Sequence, residues 1–234
     1  MNLLAKAMNT SGHEVSAIPA VVPDEVLRAR FSDLWRRCLR PGSAGDPDTA
    51  WALIDAHYEE GHRRYHDKRH LAFCLAQLDL ALDRAAEPDR VEMALWFHDI
   101  INEPGRLDNE ARSADLFGEQ ARGVMSEEFI SAVKDLILVT THNDPPQEPD
   151  QRLICDVDLA SFGCHWDRYL YDTNGIKAEF VGSAEEYSLK KRKFLEAMLN
   201  RPRIFLNDFF YERYESQARQ NIRRLLKLIE QGRH

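Results

Sequence analysis

Val91-Glu-Met-Ala-Leu-Trp-Phe-His98-Asp99-Ile-Ile101 carries apolar residues at helical intervals, with a histidine and an aspartate set among them. His98 follows Val91 by two turns and Leu95 by one, so it falls on the stripe that a helix buries. Asp99 follows it into the same apolar setting. A carboxylate taken out of water beside a histidine costs several kcal/mol unless it is paired or holds a metal. Two explanations stand for this dipeptide alone: a structural His-Asp pair, or half of a metal site.

Outward from this segment the same period recurs. Leu71, Cys74, Leu75, Leu78 and Leu82 repeat at three and four residues, as do Tyr211, Tyr214, Ala218, Ile222, Leu225 and Ile229. Asp24 can cap a first helix that ends at the Pro41 to Pro47 loop, and Pro, Gly and Asp breakers divide the rest. The expected helices are 49–64, 67–86, 88–102, 108–122, 126–141, 150–161, 165–181, 183–200 and 207–230. No strand alternation, internal repeat or low-complexity block interrupts them. The fold class expected is all-α, a compact helical domain of about eight or nine helices over residues 21–234, after a loose tail over residues 1–20 that mixes Asn, Thr, Ser, Gly and Pro without periodicity.

The 234 residues are 44% hydrophobic, enough for one real core. The formal charge of −8 and the scatter of Lys and Arg among acidic neighbours argue against a nucleic-acid polymer as partner. Four cysteines form no CxxC pair, and Cys74 and Cys155 lie in apolar runs where a thiol acts as a small hydrophobe, which suits a reducing cytoplasm. The start has no apolar signal core, and no segment approaches a membrane span. A soluble cytoplasmic protein, monomer or homodimer, is expected.

Two further segments carry ligand-type residues. Tyr65-His66-Asp67-Lys68-Arg69-His70 opens an apolar stripe at Leu71, so His70 is expected to project inward, with His66 one turn earlier on the same face. Leu153-Ile-Cys-Asp156-Val-Asp158-Leu159-Ala160 sets two carboxylates into a third apolar helix. Residues two apart on a helix point about 200° from each other, so Asp156 and Asp158 cannot both face one ion. Two imidazoles and two carboxylates form a mixed nitrogen and oxygen set suited to Mn2+, Fe2+, Zn2+, Co2+, Ni2+ or, less well, Mg2+, with coordination positions left for water.

With these three segments in place the chain resembles the HD-domain superfamily, in which one His, a His-Asp doublet on a later helix and a final Asp hold a metal. The resemblance implies His70, His98, Asp99 and Asp158 as ligands, with Val157-Asp158-Leu159 at the final motif and Asp156 left to orient a ligand histidine or cap its helix. Tyr65-His66 and His70 also look like the entry to cyclic-nucleotide phosphodiesterase domains, which implies His66 as general acid. Asp67 stands where those enzymes have Asn and their later histidine is absent, so cyclic-nucleotide specificity does not carry over. From about residue 25 the chain is most similar to bacterial predicted HD phosphohydrolases, through Trp96-Phe-His-Asp99, Asp108-Asn-Glu-Ala-Arg-Ser-Ala114, Thr140-Thr-His142, Asp156-Val-Asp-Leu159, Arg201-Pro-Arg-Ile204 and Glu215 to Asn221.

The resemblance implies hydrolysis of a small phosphoester, a nucleotide or another phosphorylated metabolite, by a metal-activated water attacking phosphorus. It sets Asn109 and Glu110 beside the metal, Glu110 as base and Asn109 toward substrate; an ordinary acidic first turn of a helix is the plainer reading. His142 is a candidate for phosphate or a second metal, or a helix C-cap. Arg63, Arg64, Lys68 and Arg69 border the first motif, with Arg64 and Lys68 the leading candidates to grip an anion. His13, His57, His62, His165 and His234 read as structural or exposed. Two alternatives stay open: a di-iron oxygenase on the same fold, and a nucleotide-sensing module without turnover.

Overall fold

The computed structural model describes residues 21–234, so the expected tail and His13 lie outside the described residues. Ten α-helices follow in order: α1 Asp24–Cys38, α2 Pro47–Tyr58, α3 Lys68–Leu80, α4 Pro88–Phe97, α5 Asn109–Ala121, α6 Glu127–Val139, α7 Pro149–Leu159, α8 Trp166–Glu179, α9 Ala184–Asn200 and α10 Asp208–Glu230. There is no strand among the described residues. The all-α expectation holds, with ten helices where eight or nine were expected.

Local chemistry starts the helices. Asp46 accepts hydrogen bonds from the Asp48 and Thr49 amides ahead of α2, with Pro47 at the first helical position. The Asp67 side chain takes the Arg69 amide at 2.8 Å to open α3. Ser126 accepts from Phe129 to open α6, and Ser183 with Glu186 forms a capping box for α9. One continuous buried cluster, from Val22 to Leu225, takes side chains from every helix. Within it α3, α4 and α7 pack on one another, α1 lies on α2 and α4, and α10 closes over the turn at 160–163 that follows α7.

Three helix ends fall well short of expectation, and two of them matter for the site. The helix expected over 49–64 stops at Tyr58, and residues 59–67 run as an irregular segment. His66 therefore lies before α3, and the expected helical face shared with His70 is not what brings the two together. The helix expected over 88–102 stops at Phe97, with His98 as its C-terminal cap; away from the site, the helix expected over 67–86 likewise stops short, at Leu80. Arg63 supplies a reason for the two ends at the site. Its buried guanidinium donates to the carbonyls of His66 (2.7 Å), Asp99 (2.8 Å) and Ile100 (2.8 Å), taking up acceptors that neither segment spends on helix.

Candidate metal centre

Neighbouring residues on an α-helix point about 100° apart and do not face each other. Because α4 ends at Phe97, Asp99 turns back on His98 and its Oδ2 comes within 3.0 Å of His98 Nε2. His70, in the first turn of α3, puts its Nε2 3.3 Å from His98 Nε2, 3.3 Å from Asp99 Oδ2 and 3.3 Å from Asp158 Oδ1. Asp158 Oδ1 is 3.7 Å from His98 Nε2. The packing of α3, α4 and α7 thus gathers His70, His98, Asp99 and Asp158 around one point.

These separations fit a metal ion. Donors about 2.1 Å from an ion lie about 3.0 Å apart in an octahedron and about 3.4 Å apart in a tetrahedron. The tautomer is also set. His98 Nδ1 is 2.8 Å from the Leu95 carbonyl, which can only accept, so Nδ1 carries the proton and Nε2 offers its lone pair to the cluster.

Burial alone would push both imidazoles toward neutrality, yet nearby charge outweighs it. His70 is raised well above its ordinary value against that burial by Cys74, Tyr65, Asp158 and Asp99, and His98 by Asp99 and Asp158. Burial would raise the two carboxyls, but His98, His66 and His70 hold Asp99 well below its ordinary value, and His142, His70 and His98 do the same for Asp158. The centre of the cluster favours positive charge, which a divalent cation could supply in place of protons.

Cys74 is the residue that sequence reasoning missed here. It was read as a core hydrophobe, and it is fully buried, but its Sγ lies 3.6 Å from His70 Nε2. His70, Cys74, His98 and Asp158 each offer a ligand atom within 4.8 Å of the others, so this group could hold a metal ion. The signal was present as the four-residue spacing from His70, which puts both on one helix face.

Asp156 does not point at the cluster. It is fully buried and accepts from the Leu206 amide (2.8 Å), the Asn207 amide (2.6 Å) and the Asn207 side chain (2.9 Å), pinning the start of α10 to α7. It neither orients a ligand histidine nor caps its own helix. Burial pushes its carboxyl up to about 6 despite these donors.

His66 reaches the site from the loop. Its ring centroid is 5.9 Å from that of His70, and its Nδ1 is 2.5 Å from Glu179 Oε2 at the end of α8. The other Glu179 oxygen accepts from the amides of Arg64 (2.6 Å), Tyr65 (2.7 Å) and His66 (3.0 Å). α8 can come this close because residue 175 is glycine: a Cβ there would sit 2.9 Å from the Arg64 carbonyl oxygen. Neither Arg63 nor Glu179 was singled out by sequence for holding this loop, since their partners are carbonyls and amides that leave no mark in the pattern.

The remaining candidates divide. His142, just past α6 in a left-handed conformation (φ 55), puts Nε2 2.8 Å from Asp158 Oδ2. Histidine tolerates that conformation better than most residues, and such backbone is common at functional sites. Glu110, half-buried in the first turn of α5, has its carboxyl raised by burial and by the charges of Asp99 and Asp158. Asn109 uses its amide at both ends on the backbone of Glu103, so it closes the loop before α5.

The two cations expected to grip an anion are engaged elsewhere. Lys68 Nζ sits among Asp24 (3.1 Å), Glu59 (2.8 Å) and Asp55, tying α1, α2 and α3 together. Arg64 folds its exposed guanidinium back on the Gly61 and Arg63 carbonyls. The open spacing of their charges in sequence gave no view of these partners.

Two cavities meet at His142. One, of about 360 Å³, is lined by Tyr65, His66, His142 and Asp158 together with the rings of Phe162, Phe180, Tyr187 and Phe194. The second, of about 510 Å³, runs past Cys155, Arg152, Arg201 and Arg203. Comparison of the chain with models of known protein families, with curated proteins and with solved structures finds no match in any of the three.

Proposed function

We propose that this protein is a metal-dependent hydrolase of small phosphoesters, with His70, His98, Asp99 and Asp158 as the ligands of a divalent ion. The observation that carries the reading is the junction of the buried donor cluster with a cavity that His66 borders. A bound divalent ion supplies Lewis acidity, activating a water and drawing charge from the phosphoryl oxygens. The chain's own residues do the rest. His66, with Nδ1 held by Glu179, lines the cavity and gives a proton from Nε2 to the leaving oxygen as the P–O bond breaks. Glu110, its carboxyl raised toward neutrality, takes the proton lost by the attacking water. The soluble, cytoplasmic setting belongs to this reading; no helix among the described residues is long and apolar enough to cross a membrane.

One geometric feature favours keeping a second reading beside it. Asp158 turns Oδ1 to His70 and His98 and Oδ2 to His142, as a carboxylate shared between two ions would. A two-ion site serves hydrolysis, and it also serves a di-iron oxygenase. A screen of phosphorylated metabolites and nucleotides with Mn2+, Mg2+, Co2+, Ni2+, Zn2+ and Fe2+, run beside O2 uptake, decides between them. Phosphate release with any ion supports the hydrolase. O2 consumption with Fe2+ and no phosphate release transfers the site to the oxygenase, and binding of nucleotide without either makes it a sensor.

A further inference from the structure

The cavity beside the cluster has lining residues that the proposed reaction leaves unused. Lys191 on α9 is only 8% exposed, and it helps line this cavity among aromatic rings. Its Nζ lies 6.0 Å from the centre of the Phe162 ring and 5.8 Å from that of Phe194. Among the described residues no carboxylate or carbonyl accepts from it. Lys68, by contrast, is surrounded by carboxylates.

A lone ammonium in apolar surroundings is costly, and proteins rarely keep one without use. Burial lowers Lys191 to about 8, and burial is the sole cause. The Phe162 and Phe194 rings beside its Nζ set the ammonium on the aromatic lining of the cavity. Lys190, the next residue back, is exposed at the rim with Nζ 5.1 Å from the Phe180 ring.

We propose that Lys191 receives a second anionic group of the substrate, a carboxylate or phosphate separated from the reacting ester by an apolar, flat body lying between the rings. The inference rests on the phosphoester reading for the reacting end alone. The volume of about 360 Å³ is that of a small-molecule site. Its aromatic walls favour a ring, which stacks, over a hydroxyl-rich sugar, whose donors would go unpaired. An anion there gives Lys191 the partner that the protein withholds.

Calorimetric binding to the full chain with Mn2+ tests this with three probes: benzylphosphonate, its 4-carboxy derivative and the neutral 4-carbamoyl derivative. The carboxy probe binds the wild type about tenfold or more tightly than the carbamoyl probe, as a charge-assisted bond in a dry site provides. Lys191→Met removes that advantage, leaves benzylphosphonate binding unchanged and unfolds at no lower temperature, since it removes an uncompensated buried charge. As a check that needs no variant, the carboxy probe slows acetylation of Lys191 and the carbamoyl probe does not. An advantage that survives in Lys191→Met, or no advantage in the wild type, overturns the proposal. Benzylphosphonate binding that ignores Mn2+ counts against the phosphoester reading instead, and leaves the Lys191 comparison to stand on the carboxy and carbamoyl pair.

Discussion

His66 and His70 are the same side chain with different surroundings, and in the proposed reaction the difference separates their tasks. His70 is 2% exposed and its Nε2 faces the cluster, whereas His66 is half-buried and has Nδ1 committed to Glu179. His70→Ala should therefore lose metal and His66→Ala should retain it. For His66→Ala the expected loss in turnover is about 10²–10⁴-fold with an alkyl phosphate and small with nitrophenyl phosphate, whose leaving group departs without a proton. Metal content and the two rates check it; equal losses on both substrates remove the acid role. His70, His98 and Asp158 were legible as candidates because a titratable residue on an apolar stripe must be explained. Lys68 was misjudged because its partners Asp24, Asp55 and Glu59 come from α1, α2 and the residue that caps α2, and a charge's partners across a tertiary contact are invisible in its own segment.

At the scale of elements, the site depends on a loop between α2 and α3 and on the abrupt end of α4. The helices themselves were legible from periodicity and caps, to within a few residues for α5 to α10. Two of the three overextended ends, those of α2 and α4, are where Arg63 and Glu179 take backbone groups out of helical use, and a periodic pattern cannot register a tertiary side chain doing so. Glu179 offers the test. Burial would raise its carboxyl, but His66 and the loop amides lower it from 4.5 to about 2. A folded-state value below the unfolded one stabilises fully above about pH 4.5, and the contribution is lost as pH falls toward 2. At about 1.4 kcal/mol per unit it amounts to about 3 kcal/mol. Glu179→Gln should thus be less stable than wild type at pH 7, and the gap should close between pH 4.5 and 2 in denaturant titrations. A gap independent of pH would show that packing, not the carboxylate, holds the loop.

At the scale of the molecule, the ten helices of the described residues close one apolar core around a cluster of ionisable groups that such a core would normally reject. A bound divalent ion would resolve that conflict, and its binding energy would then be part of the folding energy. Asp156 and Asp158, two residues apart on α7, give the contrast needed: the first anchors α10, the second faces His70, His98 and His142. The most direct measurement is a calorimetric titration of Mn2+ into metal-free wild type, His98→Ala, Asp158→Asn and Asp156→Asn. The wild type and Asp156→Asn should bind at least one ion with affinities within about tenfold of each other, while His98→Ala and Asp158→Asn weaken binding by far more than that. Wild-type affinity in His98→Ala or Asp158→Asn, or no binding by the wild type, would contradict the metal centre described here.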